Sequence, residues 1–562
     1  MNRRKFLKKS AGIGAAALGA DPIRMFLASI LESAFHSAYA QQNAENHFNE
    51  SKYISLYIQG GPLRNHWDYV VKPRGDADPF LHNKSTLNNS FFINSLKVDE
   101  SAAEGFSASH RLVKDDASGL YLPALWESRI PLSATGANAP MLNLAQNMAV
   151  LRGIKMADSH RLSRALQTAP LGRDSIGGMV ADQSQSPLPA VNLGSHNLFR
   201  SEKGLAQTVL SASESNPVGT ALNAFSTSSH GSSIYSGGGV DRVLDAMGKA
   251  SSREQKLLPV SYFDRLNARK LLSKSLSDLI GQFPSIQEKY ELLVTRALSR
   301  EFALPDSDGL PLASRKTAHF RYTSTDGVYL MNSDLTQIFT ENSTIKSLSS
   351  AMAVAEIMLT GCDLKFAFSS YLNLGIGGLH EISLPIGNGS TASGTIDFFE
   401  NDSHFAGNLV HLYAMHRYYR AISACLYELV SKLKSVSIPG GTLFDKTVID
   451  VNSEFNRVGG ESGYSTVHGG DYSGRTLFSG MIPKLTIAGN IYSRGTYYGP
   501  GGLGAPVKGF SGQIAGIGNV CATVASLLGV KAPTPNHAPF LIRGSGQKAV
   551  LAVEGPQNVE NG

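Results

Sequence analysis

The chain has 562 residues, 42% of them hydrophobic and only 17% charged, which excludes a disordered polymer and supplies enough apolar mass for a large core. Its 56 glycines and 24 prolines follow no collagen period and indicate many loops. The formal net charge is +6, but Arg3, Arg4, Lys5, Lys8, Lys9 and Arg24 against Asp21 and Glu32 leave only +2 for residues beyond 40, so no basic groove for nucleic acid is supported.

In chain order, the first element is NRRKFLKKSAGIGAAALGA, paired arginines followed by a weakly apolar Ala/Gly stretch. It resembles a twin-arginine export signal. Ala11 to Ala20 is too short to span a bilayer, and Ala38-Tyr39-Ala40 supplies a small-x-small cleavage pattern before Gln41. The expectation is a signal peptide over 1–40, passage through the twin-arginine machinery, a periplasmic or secreted mature chain and no transmembrane anchor. The alternative is an amphipathic helix of the mature chain from Ile23 to Phe35. Cys362, Cys425 and Cys521 form no CxxC and no even set, which reads as buried thiols rather than a disulfide framework or cysteine metal site.

Apolar, β-branched runs predict strands at Tyr53 to Gln59, Met148 to Leu151, Ala190 to Leu193, Leu364 to Ser369, Thr447 to Asn452 and Leu485 to Ala488. Apolar spacings of three and four predict helices at Ser350 to Leu359, Gly407 to Leu433 and Val520 to Leu528. The alternation predicts an α/β layered sandwich with a central, mostly parallel sheet flanked by helices, formed by residues 41–562. Asp241 to Phe302 is helical and charged throughout, and is expected as an inserted helical cap over 241–302. Ser211 to Gly239 precedes it as a long Ser/Gly-rich loop.

No GxSxG elbow, GxxxxGK[ST] loop or HExxH occurs. Four dispersed segments remain. Ser453-Glu454-Phe455-Asn456-Arg457 follows a predicted buried strand, at the strand end where open α/β sheets bind ligands; a surface Glu-Arg pair is the alternative. Asn401-Asp402-Ser403-His404 offers a carboxylate and an imidazole two residues apart, both ligands for divalent transition metals; Asp402 as a helix cap is the alternative. Val467-His468-Gly469-Gly470 places a histidine in a Gly/Ser-rich loop. Asp158-Ser159-His160-Arg161 opens a helix after a strand, making Ser159 either a nucleophile beside free amides or a plain N-cap.

The succession of a strand ending in Gly60-Gly61, then DSH, NDSH, SEFNR, VHGG and a closing helix resembles a family of exported twin-arginine proteins within the alkaline-phosphatase and sulfatase superfamily. The likeness covers about Ile54 to Leu541, and its most specific element is SEFNR against the family's SEFGR. It implies an alkaline-phosphatase-like fold and an exported hydrolase or transferase of phosphate, sulfate or related esters, on small-molecule or glycan substrates. It also implies a divalent metal, zinc with one or two ions. Asp402, His404 and His468 would hold one ion and Glu454 a second, with Ser159 as nucleophile. Arg457 would neutralise the transferring oxyanion, with Arg161 or Arg164 sharing that role. Two ions about 3.5–4 Å apart would clamp attacking and leaving oxygens. The sequence departs from the pattern where Pro62 follows the glycine pair, leaving Asp68 as a displaced metal ligand, and at Val467 and Asn456. These departures also allow a catalytically degenerate binding or envelope protein on the same fold.

Overall fold

A computed structural model describes residues 50–62, 64, 67–68, 112–132, 136–157, 159–170, 172–184, 186, 188–194, 197–211, 215–219, 261–299, 318–320, 328–330, 343–362, 367–377, 382–386, 394–398, 408–455, 457–459, 466–468, 472–493 and 503–560, some by backbone alone. The expected signal peptide and its cleavage after Ala40 lie outside these residues. So do Asp402, His404 and nearly all of the Ser/Gly-rich stretch from Ser211 to Gly239.

The centre is an eight-stranded mixed sheet. Its strands are β1 (Lys52–Ile58), β2 (Met148–Lys155), β3 (Ala190–Leu193), β4 (Thr208–Leu210), β5 (Tyr371–Ile376), β6 (Thr447–Ser453), β7 (Tyr472–Phe478) and β8 (Thr486–Ala488). They lie in the order β8-β2-β7-β6-β1-β5-β3-β4. Every pairing is parallel except the two made by β7, which is antiparallel to β6 and β2. The C-terminal ends of the seven mutually parallel strands therefore share one edge.

Because both faces are covered, β1, β5 and β6 are buried along their whole length, β1 and β5 with mostly apolar sequences and β6 with Asp450 and Asn452 buried among β-branched residues. Alternate residues serve different layers. Ile54, Leu56, Ile58, Leu372, Leu374, Ile449 and Val451 belong to a core shared with α3 (Ser261–Leu298), α4 (Ser343–Thr360) and α5 (Asn408–Ser435). Tyr53, Tyr371, Ala149, Leu151 and Leu477 belong to a second core with α2 (Ile176–Gln183) and α6 (Ile517–Leu528). The short α1 (His160–Leu166) follows β2. Helix α6 stops where Gly529 takes a left-handed φ of 68° and Val530 N–H donates back to Ala525 at 3.0 Å.

The stretch expected as a helical insertion contains α3, whose second half is drawn into the first core by Phe283, Tyr290, Leu293, Val294 and Ala297. Residues 241–260 and 300–302 lie outside the described residues. Of the strand expected at Leu364 to Ser369, Leu364 to Phe366 lie outside the described residues, Ala367 to Ser369 are not strand, and the strand runs over Tyr371–Ile376. Gly361 and Cys362 take left-handed φ values of 57° and 53° at the end of α4, and the Phe368 and Ser369 amides both donate to Met358 O, at 2.7 and 3.1 Å. Those amides close a helix end and cannot serve the sheet, so pairing begins only at Tyr371. Among the described residues no helix is long and apolar enough to cross a membrane.

Close backbone approach fixes one glycine in β2. Gly153 has φ 65°, and a Cβ there would stand 2.3 Å from Asn490 O. Gly153→Ala is expected to cost at least about 2 kcal/mol, through strained φ plus overpacking against backbone, read as a lowered denaturant midpoint at unchanged m-value.

Candidate functional site at the C-terminal edge

Glu454 is the first residue beyond β6 and is fully buried at the shared C-terminal edge. A carboxylate there needs partners, since burying it unpaired would be prohibitive. Two segments far from it in sequence, β1 and α1, supply them. Tyr57 from β1 donates its hydroxyl to Oε1 at 2.5 Å, and Arg164 from α1 donates Nε–H to the same oxygen at 2.6 Å. His160, also on α1, meets Oε2 through Nδ1. His160 and Arg164 are four residues apart, one helical turn, so both side chains lie on the face of α1 turned to the sheet edge.

Burial alone would raise the Glu454 carboxyl, but the hydrogen bonds of His160 and Tyr57, the charge of His160 and the contact with Arg164 hold it below the ordinary glutamate value. It is thus an anion in the folded protein. The Tyr57 hydroxyl is pushed well above its usual range by burial first and by the neighbouring carboxylate second, and acts as a fixed donor.

Packing holds the constellation. The His160 ring meets the Phe455 ring edge-on, with centroids 4.9 Å apart. Phe455 in turn lies against Gly61, where φ is 60° and a Cβ would fall 2.9 Å from the ring. The Gly60-Gly61 pair after β1 therefore lets Phe455 close over the edge, and Phe455 orients the imidazole.

The other sequence-predicted residues divide clearly. Ser159 is exposed one residue before His160, and its Oγ accepts from Leu162 N–H at 3.2 Å, the N-cap bond of α1. Of the two arginines offered for the oxyanion role, Arg164 reaches the site, whereas Arg161 is exposed on α1. Arg457 and His468 pair directly across a two-stranded ribbon of Arg457–Gly459 and Thr466–His468, which begins three residues past Glu454; their side chains lie outside the described residues.

Asp68 is placed elsewhere. Its Oδ1 accepts from Arg64 Nε at 3.1 Å, while Oδ2 accepts from Arg64 and from Thr476. Arg64 also donates to Val451 O at 3.1 Å, and the adjoining Trp67 donates to Ser423 of α5 at 3.0 Å and stacks on Tyr419. Asp68 thus belongs to a buried ion pair on the α5 side of the sheet, and among the described residues it shares no hydrogen-bond partner with Glu454. Among the described residues, no group of three or more His, Cys, Asp or Glu side chains is placed to hold a metal ion.

The sequence marks Glu454 as a candidate but assigns no role to Tyr57 or His160. The available signals were the i, i+4 spacing of His160 and Arg164 and the alternation of Tyr53 with Tyr57 in YISLYI. Compared with family models, with curated proteins and with solved structures, the chain matches none.

Proposed function

We propose that the chain is an exported hydrolase or transferase of phosphate, sulfate or related esters, built as a layered sandwich of the alkaline-phosphatase and sulfatase kind and acting at the C-terminal sheet edge. The observation that carries this reading is the convergence of Tyr57, His160 and Arg164 on Glu454, with Ser159 exposed beside them. Open α/β sheets place their ligands at this edge. Arg164, about one-fifth exposed, and His160, about one-third exposed, are reachable from solvent while tied to a buried anion. A guanidinium is the group type that meets an oxyanion by charge-assisted hydrogen bonds, and a fixed donor set costs no reorganisation as charge develops.

In this reading Ser159 is the nucleophile, Arg164 neutralises the transferring group, a role the resemblance also gives Arg457, and Glu454 holds His160 and Arg164 in place. Glu454 and the His160 imidazole are divalent-cation ligands by donor type, but Oε1 is taken by Tyr57 and Arg164 and Oε2 by His160, so as placed they do not fit an ion. Asp68 does not fit, because both its oxygens are committed to Arg64 and Thr476 inside the protein. That commitment favours a second reading, a degenerate member binding a glycan, wall component or partner protein without turnover.

The deciding experiment is hydrolysis of aryl phosphates, sulfates and phosphonates by the mature chain, with elemental analysis of the same preparation. Turnover that falls at least about a hundredfold in Arg164→Met supports the ester reading. A folded wild type without turnover on any of the panel, at any divalent metal content, supports the second.

A further inference from the structure

A second polar cluster lies at the opposite, N-terminal edge of the sheet. Lys52 opens β1 five residues before Tyr57, roughly 17 Å away along the strand. We propose that Lys52, Ser370 and Ser184 form a hydrogen-bonded relay that makes Ser184 a nucleophile toward small acyl and phosphonyl esters.

The geometry is continuous. Lys52 Nζ lies 2.9 Å from Ser370 Oγ, and Ser184 Oγ donates to Ser370 Oγ at 2.7 Å. Lys52 and Ser370 are fully buried, whereas Ser184, just past the end of α2, is half-buried and within reach of a substrate. The order from buried amine to buried hydroxyl to accessible hydroxyl is the one a proton relay requires.

Glu50 borders the cluster. Its Oε2 lies 3.0 Å from Ser370 Oγ, 3.1 Å from Ser184 Oγ, 3.3 Å from Ser186 Oγ and 3.4 Å from Lys52 Nζ, so with Ser184 donating to Ser370 and Ser370 to the neutral amine it is Ser186 that donates to the carboxylate. One carboxylate thus balances one ammonium and lies beside three hydroxyls. Burial pushes the Lys52 ammonium down to about 8, against the opposing pull of Glu50, so the neutral amine is accessible near neutral pH. A lysine kept only as a structural cation would gain nothing from that desolvation.

The step balances within the relay. Ser184 Oγ bonds to the acyl carbon as its proton passes to Ser370 Oγ and the Ser370 proton passes to the neutral Lys52 amine. The bond from acyl carbon to alcohol oxygen then breaks, and the proton returns from Lys52 through Ser370 to the departing alkoxide. Water releases the acyl group by the same route in reverse.

The test is labelling of the mature chain with a fluorophosphonate, in which a Ser Oγ–P bond replaces P–F, followed by fragment mass spectrometry. The expected result is an adduct at Ser184 whose rate of formation falls at least about a hundredfold in Ser370→Ala and Lys52→Met and is unchanged in Glu454→Gln. Ser370→Ala removes one oxygen and is checked for an intact melting transition, so it decides the matter should Lys52→Met fail to fold. No adduct at Ser184, wild-type rate in folded Ser370→Ala, or loss of the adduct in folded Glu454→Gln would each overturn the relay. Because Glu454→Gln is the variant that disables the C-terminal edge, failure of either site is distinguishable from failure of the other.

Discussion

Glu454→Gln is expected to lower kcat/KM for ester turnover at least about a hundredfold and to destabilise the fold by about 2–3 kcal/mol. Glutamine keeps the shape of the side chain, removes its charge and replaces one acceptor oxygen by an NH2 donor. Arg164 and His160 then lose the anion that fixes them, and Tyr57 keeps a weaker acceptor. The stability cost lies below the 3–5 kcal/mol typical of a broken buried pair, because Arg164 and His160 are partly exposed and can turn to water. The sign of the pH dependence follows from the depressed carboxyl. A glutamate held below its ordinary value contributes stability that is complete above that value and is lost as pH falls through the folded one. The difference in unfolding free energy between wild type and Glu454→Gln is therefore expected to be constant through neutral pH and to shrink in acid. A gap independent of pH down to acid unfolding would show that the charge of Glu454 does not hold the edge together.

The second large effect is expected at a buried pair with no exposed member. Arg475 of β7 donates to Asp450 Oδ2 of β6 at 2.9 Å, and Tyr53 of β1 donates to the same oxygen at 2.9 Å, all three side chains being fully buried. Arg475→Met should cost about 3–5 kcal/mol, since it strands a carboxylate in the second core. Asp450→Leu combined with Arg475→Met should recover most of that loss, giving a coupling of at least about 2 kcal/mol in a double-mutant cycle by denaturant unfolding. Burial raises the Asp450 carboxyl above its ordinary value even with Arg475 beside it. In the single variant the acid is expected to take up a proton, which caps the loss. Additive single effects would contradict this coupling.

Much of the framework was legible in the sequence. Ala190 to Leu193 is delimited fully and Thr447 to Asn452 misses only Ser453, because strands buried on both faces are rich in apolar and β-branched residues even where a buried Asn192 or Asp450 interrupts them. Leu364 to Ser369 was misplaced because the backbone hydrogen bonds that decide it belong to the end of α4, which an apolar pattern does not record. Glu454 stood out as an acid just past a buried strand. Its partners did not, since Tyr57 and Arg164 lie 397 and 290 residues away and are joined to it only by the sheet order. Asp68 was read as a ligand because it follows the first strand. The guanidinium that claims it, Arg64, stands four residues earlier, a spacing visible in RNHWD once an ion pair is weighed against a metal.

The most direct measurement is the position of a tetrahedral oxyanion in crystals of the mature chain soaked with tungstate, located by its anomalous scattering. The expected result is density at the C-terminal sheet edge within hydrogen-bond distance of Arg164 and beside Ser159, absent from Arg164→Met crystals. Ordered tungstate only at other surfaces, with the Glu454 edge closed to it, would contradict an oxyanion site there.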